Sequence, residues 1–309
     1  MKLRRLGASG LKVSEVGLGC NNFGMRIDEK ATDTVVGAAI DAGITLFDTA
    51  DIYGGTKSEE FLGKALGKRR GDIVLATKFG MRIGDDDRRK GGSRRWIMRA
   101  VEDSLTRLKT DWIDLYQFHS PDPDTPIDET LRALDDLVTQ GKVRYIGNSN
   151  FAGWQIADAD WTAAGATRFV SAQNQYSLLE RKVEFEVLPA CEHFGLGFLP
   201  FFPLGSGLLS GKYRRGEKPP EGSRLAAWGA RGAAAMSDRN FDKVDKLEAW
   251  AAERGHTILE LAFAWLLGHE VVSSVIAGAT SPEQVKANAA TAGWVLTAED
   301  VDEMGKLIG

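Results

Sequence analysis

Eight short, continuously apolar runs divide the chain almost from end to end: VSEVGLG, ITLFDTA, DIVLATKF, WIDLYQFH, VRYIGNSN, RFVSAQNQYS, LGFLPFFP and VVSSVIAG. Runs that stay apolar on both faces suit strands of a parallel sheet covered by helices, because a sheet with one wet face would alternate. The stretches between them, such as EKATDTVVGAAIDAG and RRWIMRAVEDSLTRL, carry apolar residues at helical spacing. Several close on glycine (Gly43, Gly67, Gly141, Gly165), as a left-handed C-cap requires, and Pro126 and Pro282 stand near helix starts. Repeated strand–helix units of this number predict an α/β fold of one kind, a closed (β/α)8 TIM barrel. An open doubly wound sheet is the rival, and it should carry a G-x-G-x-x-G turn after its first strand. Here the first strand runs into GLGCNNFG, where Gly17 and Gly19 are followed by no glycine until Gly24. That spacing misses the fingerprint. The opening LRRLGASGLKV reads as a β-hairpin turning at Ser9-Gly10, a plug for the barrel bottom.

With 309 residues the chain is long enough for one such barrel, and residues 1–309 are expected to form a single domain. A Gly-, Ala- and Pro-rich segment, 212–236, reads as an insert or lid loop. The two cysteines, Cys20 and Cys191, lie far apart and in no metal-ligand spacing, so a reducing, cytoplasmic setting is the economical expectation. The N-terminus carries no apolar signal region, and no apolar run is long enough to cross a bilayer. A net charge of −4 makes no case for nucleic acid or an acidic membrane as partner. The basic run within DDDRRKGGSRR (85–95) is flanked by its own acids and reads as a solvated loop.

In such a barrel, chemistry sits at the C-terminal ends of the strands. Those ends supply Asp48, Lys78 and His119 from three successive strands, then Ser149 and Asn150, Gln173 and Asn174, and Phe201 and Phe202. Tyr53 follows Asp48 in TLFDTADIYGG, with Asp51 reading as a turn or cap residue and Gly54-Gly55 as a bend. A lysine ammonium near a tyrosine favours the tyrosinate and lowers its pKa, while an aspartate keeps the lysine charged. A histidine can orient a substrate oxygen. Together these groups make a general acid for a developing alkoxide, suited to carbonyl reduction if something delivers hydride.

At these residues the chain resembles the aldo-keto reductase family. Asp48 and Tyr53 in FDTADIYG, Lys78 in ATKFG and His119 in DLYQFHSPD match that family's tetrad. GNSNF (147–151), AQNQYSLLE (172–180) and PLGSGLLSGKY (203–213) match its cofactor-binding stretches in order. The resemblance implies NADP(H)-dependent reduction of an aldehyde or ketone, without metal, on a small-molecule carbonyl or alcohol. In it Tyr53 would be the acid in reduction and the base in oxidation, Lys78 and Asp48 would tune it, and His119 would position the carbonyl. Ser149, Asn150 and Gln173 would hold the nicotinamide carboxamide, and Phe201, where the family commonly has Tyr, would stack on the ring. Leu204 to Lys212 would wrap the pyrophosphate, with Ser206 among them. Cys20, Asp48, Gly278, Gln284 and Asn288 complete the cofactor set. Asn21, Tyr53, His119 and Phe202 would line the substrate pocket, with Phe79 and Trp228 as further candidates.

The adenosine end departs from the family pattern. In IAGATSPEQVKANAA, Ala287 stands where a glutamate is common, and no arginine is present to clamp a 2′-phosphate, although Lys286 is adjacent. Dual use of NADP(H) and NAD(H) is therefore expected alongside NADP(H) alone. One rival reading is a metal-dependent hydrolase using Asp48, Asp51, His119 and Asp122, but four histidines in all are few for such a site. Another is a nucleotide-sensing interaction subunit of low turnover on the same fold, since some members of the family dock on membrane channels. The physiological substrate, the favoured direction and the oligomeric state are not set by the sequence.

Overall fold

The computed structural model describes residues 1–308. A hairpin comes first, with β1 (Leu3–Arg5) antiparallel to β2 (Lys12–Ser14). Eight parallel strands follow: β3 (Val16–Gly19), β4 (Leu46–Asp48), β5 (Val74–Phe79), β6 (Ile113–Phe118), β7 (Val143–Ser149), β8 (Phe169–Gln173), β9 (Gly197–Phe198) and β10 (Val275–Gly278). They lie in the order β10-β3-β4-β5-β6-β7-β8-β9. The ring closes between β9 and β10, where Phe198 bonds the 271–273 segment through both its N–H and its C=O and Ile276 N donates to Pro200 O. This is the expected (β/α)8 barrel with its N-terminal hairpin.

The hairpin sits where the sequence places it. Leu6 and Val13 are fully buried and pack with Leu46, Ala76, Leu115 and Leu199, residues from inside the barrel. Ser14 and Thr45 exchange backbone-to-hydroxyl hydrogen bonds at the foot of β4. The larger apolar core lies between the strands and the surrounding helices, among them Glu29–Asp41, Lys57–Leu66, Arg94–Leu108 and Ile258–Gly268. Local signals explain their limits. Asp28, Ser93 and Ser281 each accept a backbone N–H of the first turn, and Pro282 occupies the opening position of its helix.

Three expectations change. Gly43, Gly141 and Gly165 have positive φ after their helices, but Gly67 adopts φ 45°, ψ −120° and opens a 3-10 segment, Gly67–Asp72. The run LGFLPFFP gives only two ladder residues. Pro200 has no N–H to donate, Phe201 still bridges to Gln175 beyond β8, and the chain turns away at Phe202, which has φ 51°. Segment 212–236 is partly helical, with Arg224–Ala227 and Ala230–Ala235 ahead of the long helix Asp238–Glu253.

Parallel register turns this frame into a site. Along β4, β5 and β6 the interior residues Leu46, Ala76 and Leu115 form an apolar layer. Two residues further on, on the same face, stand Asp48, Lys78 and Gln117. Lys78 is the register partner of Gln117, and Ser149 that of Gln173. The barrel is therefore apolar below and polar at its mouth.

Candidate active site

Lys78 is fully buried at the centre of the polar layer. Its Nζ donates to Asp48 Oδ2 at 2.6 Å, to Thr49 O at 2.9 Å and to Tyr53 Oη at 3.5 Å. The last contact is long, and Nζ also lies 5.1 Å from the Tyr53 ring centroid. Burial alone would lower the lysine pKa, but Asp48 and Tyr53 outweigh it and hold it raised, so Lys78 is a cation at neutral pH.

For the tyrosine the direction expected from its neighbours is reversed. Burial raises the Tyr53 pKa more than Lys78 lowers it, and Asp48 adds to the rise. In the free protein Tyr53 therefore holds its proton. Its ring meets His119 edge-on, with centroids 5.7 Å apart. Burial, then the Lys78 charge, pushes the His119 pKa down to about 3, so the imidazole is neutral. His119 Nδ1 is buried with no hydrogen-bond partner among the described residues.

The tetrad opens on a cavity of about 570 Å³. Every residue expected to touch a cofactor lines it: Cys20, Asp48, Ser149, Asn150, Gln173, Phe201, Leu204, Ser206, Lys212, Gly278, Gln284 and Asn288. So do Asn21, Tyr53, His119 and Phe202. At Gly278 a Cβ would lie 3.1 Å from Asn22 Nδ2 and 3.3 Å from Asn21 Oδ1, so a larger residue would displace these side chains. In the 204–212 loop, Gly205, Ser206 and Gly207 all take positive φ, which folds the loop tightly over the cavity rim.

Two further pocket candidates fall outside it. Phe79 points outward from β5, fully buried and stacked on Phe118 at 5.1 Å, because its neighbour Lys78 takes the inward direction. Trp228 packs edge-on against Phe202 at 6.1 Å from the insert side, with the Arg231 guanidinium 4.5 Å from the Trp228 ring centroid. Asp51 is not a helix cap. It is fully buried beneath the turn, and neither carboxyl oxygen has a hydrogen-bond partner of good geometry. Burial, then Glu59, raises its pKa well above the ordinary value, so its ionisation is opposed. Asp122 accepts from Gly92 N and Thr125 Oγ1 outside the cavity, which removes it from any shared set with Asp48. No group of His, Cys, Asp and Glu able to hold a metal occurs among the described residues.

The sequence reading passes over three side chains of this site. Arg26 and Arg224 both line the cavity; Arg26 donates to Gly222 O, and Arg224 lies 4.9 Å from the Phe202 ring. Neither stands at a strand end, so neither could be found by reading strand ends. Gln117 could have been. It stands two residues before His119 in DLYQFH, on the same face of the strand. Its Nε2 donates to Asp48 Oδ1 at 2.9 Å. Gln173 Nε2 donates to the same oxygen at 2.9 Å and to Gln117 Oε1 at 3.1 Å.

Comparison with known sequences assigns the chain to a family. The profile of the aldo/keto reductase family matches residues 15–308. The chain belongs to that family. It is 40% identical over 93% of its length to an uncharacterized oxidoreductase, YrpG, of Bacillus subtilis (strain 168), covering 89% of that protein. Aldo-keto reductase YhdN of the same organism is 34% identical over the whole chain and 94% of its own length. A probable voltage-gated potassium channel subunit beta of Oryza sativa subsp. japonica is 37% identical over the whole chain, with 97% of it covered. As an aldo/keto reductase the chain falls among NAD(P)H-using carbonyl oxidoreductases. No helix among the described residues is long and apolar enough to cross a membrane.

Proposed function

We propose that this aldo/keto reductase is a one-domain, cytoplasmic, NADP(H)-dependent enzyme that reduces an aldehyde or ketone to an alcohol, with Tyr53 as proton donor. The observation that carries the reading is the chain of contacts from Asp48 through the buried Lys78 cation to a protonated Tyr53 at the cavity mouth. A bound nicotinamide dinucleotide would supply the hydride. Charge that develops on the carbonyl oxygen would then be met by Tyr53 Oη, which gives up its proton while Lys78 stabilises the phenolate left behind. Because Nδ1 of the neutral His119 is buried without a partner, its ring proton belongs on Nε2; an orphaned acceptor costs less than an orphaned donor. Nε2–H would orient the substrate oxygen.

The residues present fit the dinucleotide. Gln173 Nε2 is committed to Asp48 and Gln117, and Asn150 Nδ2 to His119 O and Ser149 Oγ. Both residues line the cavity with their amide nitrogens so engaged, which leaves each amide oxygen able to accept from a carboxamide N–H. Ser149 Oγ donates to Gln173 O, and rotation about one bond would turn that proton toward a carboxamide oxygen. Phe201 would stack on the nicotinamide ring. Lys212, with the backbone of the 204–212 loop, would meet the pyrophosphate. At the adenosine end Gln284 and Asn288 line the cavity beside Ala287, which offers no charge in either direction, so use of both NADPH and NADH is part of the proposal.

The test is a steady-state screen of aldehydes, ketones and sugars with NADPH and with NADH. Turnover of a carbonyl with either cofactor is the expected result. Absence of turnover with both would reject the reading. Similarity to the rice potassium channel subunit favours one other reading, a nucleotide-responsive interaction protein on the same barrel. It requires oxidation of bound NADPH by an aldehyde in a single turnover with almost no steady-state rate, and a normal steady-state rate would exclude it.

A further inference from the structure

A glutamine inside a parallel barrel is costly unless both ends of its amide are used. Gln117 is fully buried, and both ends are used. Its orientation follows from chemistry, since only the NH2 end can face the Asp48 carboxylate. Asp48 Oδ1 thus accepts from two amides while Oδ2 accepts from Lys78. Gln117 Oε1 in turn takes the second proton of the Gln173 amide. These bonds form a closed ring of Asp48, Gln117 and Gln173. The backbone makes room for it. Gly147 is the register partner of Gln117, and a Cβ there would collide with Ser171 Oγ and press on Gln117 Cγ at 3.3 Å.

The ring has two consequences. Asp48 cannot rotate to offer Lys78 a different oxygen, so the direction of the ammonium toward Tyr53 is fixed. Gln173 cannot flip, so the group it presents to the cavity is an acceptor. We propose that Gln117 is a positioning residue that sets, through Asp48 and Gln173 together, both the proton-donating group and the acceptor that meets the nicotinamide carboxamide. The proposal rests on the reductase reading for its first arm, and on dinucleotide binding alone for its second.

The test compares the wild type with Gln117→Met, which keeps length and loses both polar atoms, and Gln117→Glu, which puts an acceptor where the donor was. Turnover is measured across pH, and binding of NADPH is measured beside 2′,5′-ADP, which has the adenosine end and no carboxamide. Gln117→Met should lower kcat about tenfold or more, the scale of a lost hydrogen bond to a charged group. It should weaken NADPH several-fold and leave 2′,5′-ADP unchanged. Gln117→Glu sets two carboxyl groups face to face, so one must take a proton. Its activity should recover as pH falls, because a protonated Glu can again donate to Asp48, while the wild type shows no such recovery. Wild-type kcat, pH profile and NADPH affinity in both variants would overturn the proposal, as would equal weakening of NADPH and 2′,5′-ADP. If the wild type binds NADPH but reduces no carbonyl, the reductase reading fails alone, and the affinity pair still decides the role of Gln117.

Discussion

Asp48 Oδ2 and Lys78 Nζ meet at 2.6 Å with neither side chain more than 5% exposed. A charge so deep is tolerated because its partner is equally deep, and removing one partner leaves the other uncompensated. Asp48→Asn should therefore cost about 3–5 kcal/mol of stability, measured by urea unfolding. The sign with pH is defined. The folded pKa of Lys78 is raised, so its contribution is complete below the unfolded lysine value and is lost only as pH rises through the folded one. The wild-type contribution should be the same at pH 6 and pH 8, so a difference between wild type and variant that shrinks toward pH 8 reports Lys78 giving up its proton in the variant. Turnover should fall as well, because Lys78 loses the group that keeps it charged.

Tyr53→Phe removes one oxygen from a half-buried ring and leaves the rest of the cavity lining in place. Carbonyl reduction should fall by about 10²–10⁴-fold, the usual scale for a general acid. Quenching of protein fluorescence by NADPH should report nearly unchanged affinity. Reduction at the wild-type rate would remove Tyr53 from the role of acid.

How much of this could be read beforehand follows from period two in the strands. An inward residue at the top of a parallel strand announces itself as the polar end of an apolar run, and Asp48, Lys78 and His119 were legible for that reason. The same rule identifies Gln117 and excludes Phe79, one step out of phase with Lys78. Motif order carried the rest of the lining, from Ser149 to Asn288. Burial was not legible. Asp51 does stand in the turn that the sequence suggests, but burial opposes its ionisation there, and burial raises the Tyr53 pKa against the pull of Lys78. Arg26 lies between β3 and the first helix, Arg224 opens the short helix Arg224–Ala227 of the insert, and no local pattern marks either as part of the cavity.

His119 should be silent in the pH profile. An exposed histidine would give a limb near its reference value of about 6.5. Here burial and Lys78 push the value down to about 3. The rate of carbonyl reduction at saturating substrate should show no inflection between pH 5 and 7.5. Stability should carry the opposite signature. The unfolded chain binds a proton on this histidine below about 6.5 that the folded chain refuses, so stability falls as pH drops from there toward 3. His119→Asn should flatten that part of the stability profile, measured by thermal unfolding at pH 4, 5 and 7.

Asp51 gives the same linkage with the reverse sign. Its carboxyl lies beneath the Tyr53 turn, where burial and the nearby Glu59 oppose ionisation. Glu59 itself is occupied, accepting from Thr77 Oγ1 at 2.6 Å and from Arg107 Nε at 2.7 Å. Above the unfolded aspartate value of about 3.9 the unfolded chain releases this proton and the folded chain keeps it. The wild type therefore loses stability as pH rises through that window, by up to about 1.4 kcal/mol per unit. Asparagine has the same shape and no proton to lose. Asp51→Asn should match the wild type near pH 4 and exceed it increasingly toward pH 7 in urea unfolding. A constant difference across this range would mean that Asp51 is ionised in the folded protein, held by a partner other than the contacts described.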